Sequence, residues 1–312
     1  SDDQGDISNS DGGIVFASSL RGKKGNADPH DYTFWRINSD GKLVEKTAIK
    51  TKASVWNINQ AITTGTSIYL MGPANEDKFY DQVIKSGAQD LEGMKWKNFQ
   101  MTKLTGGKVD YTTLTTLDDF EAKLNAPPSQ KKSPSYSGKK FHFTTANVSP
   151  DGSIMICGQN YNMTKKAPRA PKTKSYTDVM MFYFDNAGML KAQYGVRREE
   201  NNKYAKLAPA MQEIIDGKSY KYWGIWEMDG IREEREGKVK AVKALLYPSI
   251  SRIDSKTGGI SDFVQFGLVN GKPTYYLHNA YPYLPMTSEN AIVYLGVNKP
   301  GKILWFAKVN LE

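Results

Sequence analysis

Cysteine and histidine are scarce in this chain, and long apolar runs are missing. The single cysteine, Cys157, excludes an internal disulfide. It lies in the apolar run Ile154-Met155-Ile156-Cys157, which reads as a buried strand with a core thiol rather than a nucleophile. Lack of disulfides suits the cytoplasm and many exported bacterial proteins alike, so it separates no compartments. The three histidines, His30, His142 and His278, stand far apart, and neither His-Glu-x-x-His nor a Cys/His cluster occurs. No metal site and no cofactor are therefore expected. No run approaches the roughly 18 apolar residues that a membrane-spanning helix needs, so no transmembrane segment is expected.

The usual catalytic signatures are also missing. Gly65-Thr66-Ser67-Ile68-Tyr69 lacks the final glycine of a nucleophile elbow. Gly217-Lys218-Ser219 has Gln212 where a phosphate loop needs its first glycine, and no Gly-x-Gly occurs. No catalytic residue is assigned on this basis. Glu227, Asp178 and Asp229 flank strand ends and are candidate acids of the kind a glycosidase brings together from distant parts of the chain.

What the 312 residues do contain is material for a core: 39% are hydrophobic and 12% aromatic, with six tryptophans. The disorder signature is absent, and one large domain over residues 13–312 is expected. The acidic, Ser-rich stretch Ser1 to Gly12, which begins without methionine, reads as the flexible leader of a mature or excised chain. The net charge of +9 would draw anions. It is carried mainly by scattered lysines without a basic helix or an RNA-binding aromatic motif, so nucleic acid is not expected as a partner.

The dominant signal is a recurring hairpin, an apolar strand followed by a tight Gly-containing turn and a second strand. Its turns include Asn38-Ser39-Asp40-Gly41, Pro150-Asp151-Gly152-Ser153, Asp185-Asn186-Ala187-Gly188, Asp254 to Gly259 and Asn298 to Gly301. Asn, Asp and Gly supply the left-handed backbone angles that such turns need. A second class of strand, including Ser67-Ile68-Tyr69-Leu70-Met71 and Lys221 to Trp226, alternates with the first. Two alternating classes predict an all-β fold, a β-propeller of about five to six irregular blades. A pair of β-sandwiches is the rival architecture. The uneven spacing of the turns is assigned to inserted segments near 75–95, 126–140 and 164–174. Phe79, Val83, Ile84, Ala88 and Leu91 have helical spacing within the first, and Tyr204 to Ile215 also has a helical look despite Pro209.

The stretches Val148 to Val196, Tyr32 to Ile49 and Pro300 to Glu312 resemble the propeller-like half of large, mostly uncharacterised exported proteins of Gram-negative bacteria. That resemblance implies a propeller and export to the periplasm, outer membrane or medium, and it transfers no active site. The leading functional expectation is a non-enzymatic protein-interaction or scaffold module with a protein partner in the bacterial envelope. The alternative is a carbohydrate-binding or carbohydrate-active propeller with a glycan partner. Candidate binding residues are Tyr276, His278, Tyr281 and Tyr283 in the aromatic segment after Pro273. Lys165, Lys166 and Arg169 in a Lys/Pro loop suit an anionic surface.

Overall fold

The turns marked in the sequence are closed by their own side chains. Asn38 Oδ1 accepts hydrogen bonds from the backbone N–H of Asp40 and Lys42 at 3.1 and 2.9 Å. Asp185 Oδ1 does the same for Ala187 and Met189 at 3.0 and 2.9 Å, and Asn298 Oδ1 for Lys302 and Ile303 at 2.8 and 3.1 Å. A short polar side chain thus substitutes for ladder partners where each strand reverses. Gly41, Gly188 and Gly301 follow with φ of +76°, +73° and +73°. In the Asp254 turn the left-handed position is Gly258, at +74°, and not the expected Gly259, whose carbonyl accepts from the N–H of Asp254. A Cβ on Gly41 would meet no atom within 4 Å. Gly41→Ala therefore carries only the backbone penalty and is expected to lower stability by roughly 1–2 kcal/mol, read as a shift in the denaturant midpoint without a change in slope.

A computed structural model describes residues 4–8, 14–19, 31–53, 55–76, 94–165, 169, 171–198, 204–236, 239–286 and 289–312. These residues form an all-β fold of the β-propeller type, built from successive antiparallel sheets. The first sheet is the meander β1 (Gln4–Ser8), β2 (Ile14–Ser19), β3 (Asp31–Ile37) and β4 (Leu43–Lys50). The second holds β5 (Val55–Trp56) and β6 (Gln60–Thr64) in succession along β7 (Ser67–Asn75), then β8 (Asn98–Thr105) and β9 (Lys108–Thr116). The third comprises β10 (Leu124–Asn125), β11 (Phe141–Val148), β12 (Ile154–Lys165), β13 (Lys172–Phe184) and β14 (Leu190–Val196), with β10 paired outside β14. The fourth is β15 (Met211–Asp216), β16 (Tyr220–Glu236), β17 (Val239–Asp254) and β18 (Val264–Gln265). A ribbon of β19 (Leu268–Val269) and β20 (Lys272–Pro273) leads to the fifth sheet. There β21 (Tyr275–Leu277) and β22 (Tyr283–Met286) pair with one side of β23 (Ala291–Asn298), and β24 (Leu304–Asn310) pairs with the other.

The chain packs as two compact units. Unit 1 is Ser1–Leu124, Ser135–Ile156 and Phe182–Gln193, and unit 2 is Asn125–Pro134, Cys157–Met181 and Tyr194–Glu312. Within unit 1 the short helix Leu117–Ala122 is set by a capping box, in which Thr116 Oγ1 accepts from Asp119 N and Asp119 Oδ2 accepts from Thr116 N. The cap aims Phe120 into a buried aromatic cluster, 4.7 Å from Phe182 and 5.0 Å from Tyr136. Unit 2 has its own core of Tyr222, Trp226, Ile250, Leu277, Ile292 and Tyr294.

Four expectations are corrected by the fold. Gln4–Ser8, assigned to a flexible leader, is a strand paired with β2. Tyr204 to Ile215, given a helical look, ends in strand β15, where each residue from Met211 on pairs in register with Trp226 back to Lys221. The loop expected near 164–174 is shorter, since β12 runs to Lys165 and β13 starts at Lys172. The stretch after Leu277, expected as a Tyr-rich loop beyond the strand Pro273 to Leu277, returns to the sheet as β22, so that β21 and β22 form one broken edge strand. It leaves the ladder only between the bonds His278 N–H to Leu295 O and Leu295 N–H to Pro282 O, both 2.9 Å. The helix expected over 75–91 lies outside the described residues. No helix among them is long and apolar enough to cross a membrane.

Candidate functional site

In unit 2 one face of the fourth sheet becomes the floor of a cavity of about 240 Å³. Side chains two residues apart on a strand share a face, and Ile225 and Glu227 of β16 both line the cavity. The register places Ser249 opposite Ile225 and Tyr247 opposite Glu227, and Gln265 of β18 opposite Ser249. The floor is therefore a lattice of cross-strand neighbours, with an apolar side chain surrounded by hydroxyl, amide, phenol and carboxyl groups.

A wall comes from residues 127–130, held against the end of β14 by one side-chain amide. Gln130 Nε2 donates to Gly195 O at 2.9 Å, and Gln130 Oε1 accepts from Arg197 N at 2.9 Å. This docking needs glycine at 195, because a Cβ there would lie 2.2 Å from Pro134 O. Ser129 N–H donates to Asp262 Oδ1 at 2.8 Å. That backbone bond holds the Asp262 carboxyl below its ordinary value and keeps it ionised.

Arg198 and Glu227 form the charged pair of the pocket. Arg198 donates Nε and Nη2 to Glu227 Oε2 at 3.0 and 2.6 Å and Nη1 to Ala205 O at 2.7 Å. Their side chains are 6% and 16% exposed, so the pair is largely withdrawn from solvent. Both contacts to Glu227 fall on one oxygen, which leaves Oε1 without a hydrogen bond among the described residues.

A third carboxyl, Glu213, lies outside the lining of this pocket. Its Oε1 accepts from Tyr294 Oη at 2.6 Å and Trp226 Nε1 at 3.1 Å, and its Oε2 is buried without a partner among the described residues. Burial pushes this carboxyl above its ordinary value, and the two hydrogen bonds oppose the rise. Room for the side chain comes from Gly224, its cross-strand partner, where a Cβ would sit 2.5 Å from Glu213 Cγ.

Of the residues proposed from sequence, Glu227 lines the pocket. Asp229 accepts from Tyr276 Oη at 2.7 Å instead, and Asp178 belongs to β13. Tyr276 is buried and bonded to Asp229 and to Pro273 O. Tyr283 packs edge-on against Trp226 and Tyr294. His278 Nδ1 accepts from Tyr281 N, and the two rings stack at 5.8 Å, with Tyr281 65% exposed. Lys165 and Arg169 are exposed, and Lys166 lies outside the described residues. Sequence reading missed Arg197, Arg198, Asp262 and Gln130. The Arg197-Arg198 doublet in a lysine-rich chain was the available signal.

No protein-family model matches the chain, and no curated protein matches it. Solved structures do. An α-L-arabinofuranosidase of Fusarium graminearum in complex with arabinobiose is 10% identical, with 96% of this chain and 72% of that chain covered and a TM-score of 0.32. An α-L-arabinanase of Cellvibrio cellulosa is 10% identical over 98% of this chain and 90% of that one, with a TM-score of 0.26. For a polysaccharide lyase the identity is 11% and the TM-score 0.36; 98% of this chain aligns but only 57% of the other. The leading expectation of a non-enzymatic interaction or scaffold module is corrected accordingly. Each of these similar structures is described as a carbohydrate-processing enzyme.

Proposed function

We propose that this chain is a carbohydrate-active protein whose sugar-binding site is the cavity of unit 2. The observation that carries the reading is the lining itself. Glu227, Asp262, Gln265, Ser249 and Tyr247 present hydrogen-bonding groups around Ile225 and Phe263. A sugar ring offers hydroxyls on its edge and C–H groups on its face, and such a mixture matches both. At about 240 Å³ the cavity falls below the range of about 300–1,000 Å³ usual for drug-sized ligands. It suits one ring of a longer chain. Carboxylate oxygens that accept from hydroxyls make the stronger, charge-assisted bonds, and Glu227 Oε1 and the ionised Asp262 are available in that role.

Calorimetric titration of the full chain with a panel of plant and bacterial oligosaccharides tests the reading. At least one class is expected to bind. Tyr247→Ala and Gln265→Ala are each expected to weaken it about tenfold, the worth of one or two good contacts. Absence of binding across the panel, or affinities unchanged in both variants, overturns the assignment.

A further inference from the structure

We infer that the sugar held in this pocket carries an oxyanion, a uronate carboxylate or a sulfate ester, and that Arg197 is the residue that reads it. This rests on the carbohydrate reading above and goes one step beyond it, to the class of sugar. Two guanidinium groups line the cavity, and their circumstances differ. Among the described residues Arg198 spends its hydrogen bonds inside the protein, on Glu227 Oε2 and Ala205 O. Arg197 is held through its backbone, by the bond from its N–H to Gln130 Oε1. Its exposed side chain has no hydrogen bond or ion pair among the described residues.

A guanidinium offers five N–H donors in a planar fork that matches the two oxygens of a carboxylate or two of a sulfate. A neutral sugar would use few of them. A second carboxylate of the lining, the ionised Asp262, accepts from Ser129 N and forms no ion pair with Arg197 among the described residues. With Arg198 paired to Glu227, Arg197 is the lining cation without a side-chain partner among the described residues, placed to meet a ligand's negative charge. The net charge of +9 adds a long-range attraction for an acidic polymer.

Three probes of equal length separate the outcomes: a glucuronate oligosaccharide, the same chain with its carboxyls reduced to alcohols, and a sulfated neutral oligosaccharide. Wild type is expected to bind at least one of the two acidic probes about tenfold or more tighter than the reduced one, as one charge-assisted pair provides. Whichever acidic probe is preferred identifies the oxyanion. Arg197→Gln is expected to bring that probe down to the level of the reduced chain, with the affinity for the reduced chain changed by less than about twofold. Arg197→Lys keeps the charge without the fork and should retain part of the preference. Equal wild-type affinity for acidic and reduced probes, or a preference that survives Arg197→Gln, overturns the inference and leaves the carbohydrate reading standing. Failure of all three to bind overturns the inference, and the carbohydrate reading falls with it only if the oligosaccharide panel fails as well.

Discussion

Arg198→Met is expected to destabilise the folded chain by about 2–4 kcal/mol. Removing one member of a buried ion pair costs about 3–5 kcal/mol, because the remaining charge stays desolvated without compensation. Glu227 is 16% exposed, so water relieves part of that cost and the estimate is set lower. The variant also strands Ala205 O, which accepts from Arg198 Nη1. The diagnostic result lies in the double variant. Arg198→Met combined with Glu227→Gln removes both charges, and is expected to recover about 1–3 kcal/mol relative to the sum of the single changes. Urea denaturation of the four proteins supplies the cycle. If the single effects simply add, the pair is not the coupled unit that its geometry indicates.

Glu213 is expected to make the protein less stable as the pH rises. Its folded-state carboxyl lies above the ordinary value of 4.5, chiefly through burial. Between that value and the raised one, the folded chain holds a proton that the unfolded chain has released. Stability contributed by this group is thus complete below pH 4.5 and is lost as the pH climbs through the raised folded value. The loss amounts to about 1.4 kcal/mol for each unit by which the carboxyl is raised. Glu213→Gln retains an acceptor for Tyr294 and Trp226 but cannot ionise. Its Nε2 takes the place of the unpartnered Oε2, which costs about 1–3 kcal/mol at all pH values. Thermal melts from about pH 4.5 to pH 8 should therefore converge or cross, with wild type falling and the variant nearly level. Parallel curves would dismiss Glu213 as the source.

The two sites differ in how much of them could be read from the residues. Glu227 stands out as an acid near a strand end, and the alternation of Ile225 with Glu227 on a β-branched and aromatic strand follows from the period of two. Nothing local in Asp262 or Gln130 marks them. Each matters only because the chain between Asn125 and Pro134 returns to the end of β14, where Gln130 bonds to Gly195 and Arg197, and Ser129 bonds to Asp262 across 133 residues of sequence. Tyr276 shows the opposite error. A tyrosine in an aromatic, Pro-containing segment looks like a binding surface, yet β21 continues the fifth sheet and turns this ring inward to Asp229. Aromatic faces and core faces have the same composition, so composition cannot separate them.

The local physics of this chain determined its strands and turns. Asn38, Asp185 and Asn298 close their hairpins with their own side-chain oxygens, and the glycines that follow adopt angles other residues resist. Such interactions span a few residues, which is why the all-β repeat was legible before any coordinates. The tertiary structure decided which face of each strand meets solvent, ligand or core. Register placed Tyr247 and Ser249 beside Glu227 and Ile225, docking of the 127–130 wall enclosed them, and the bond to Glu227 engaged Arg198 while Arg197 kept its side chain unpaired among the described residues. Those outcomes depend on groups brought together from distant parts of the chain, and a one-residue change in register would turn each of them to the opposite face.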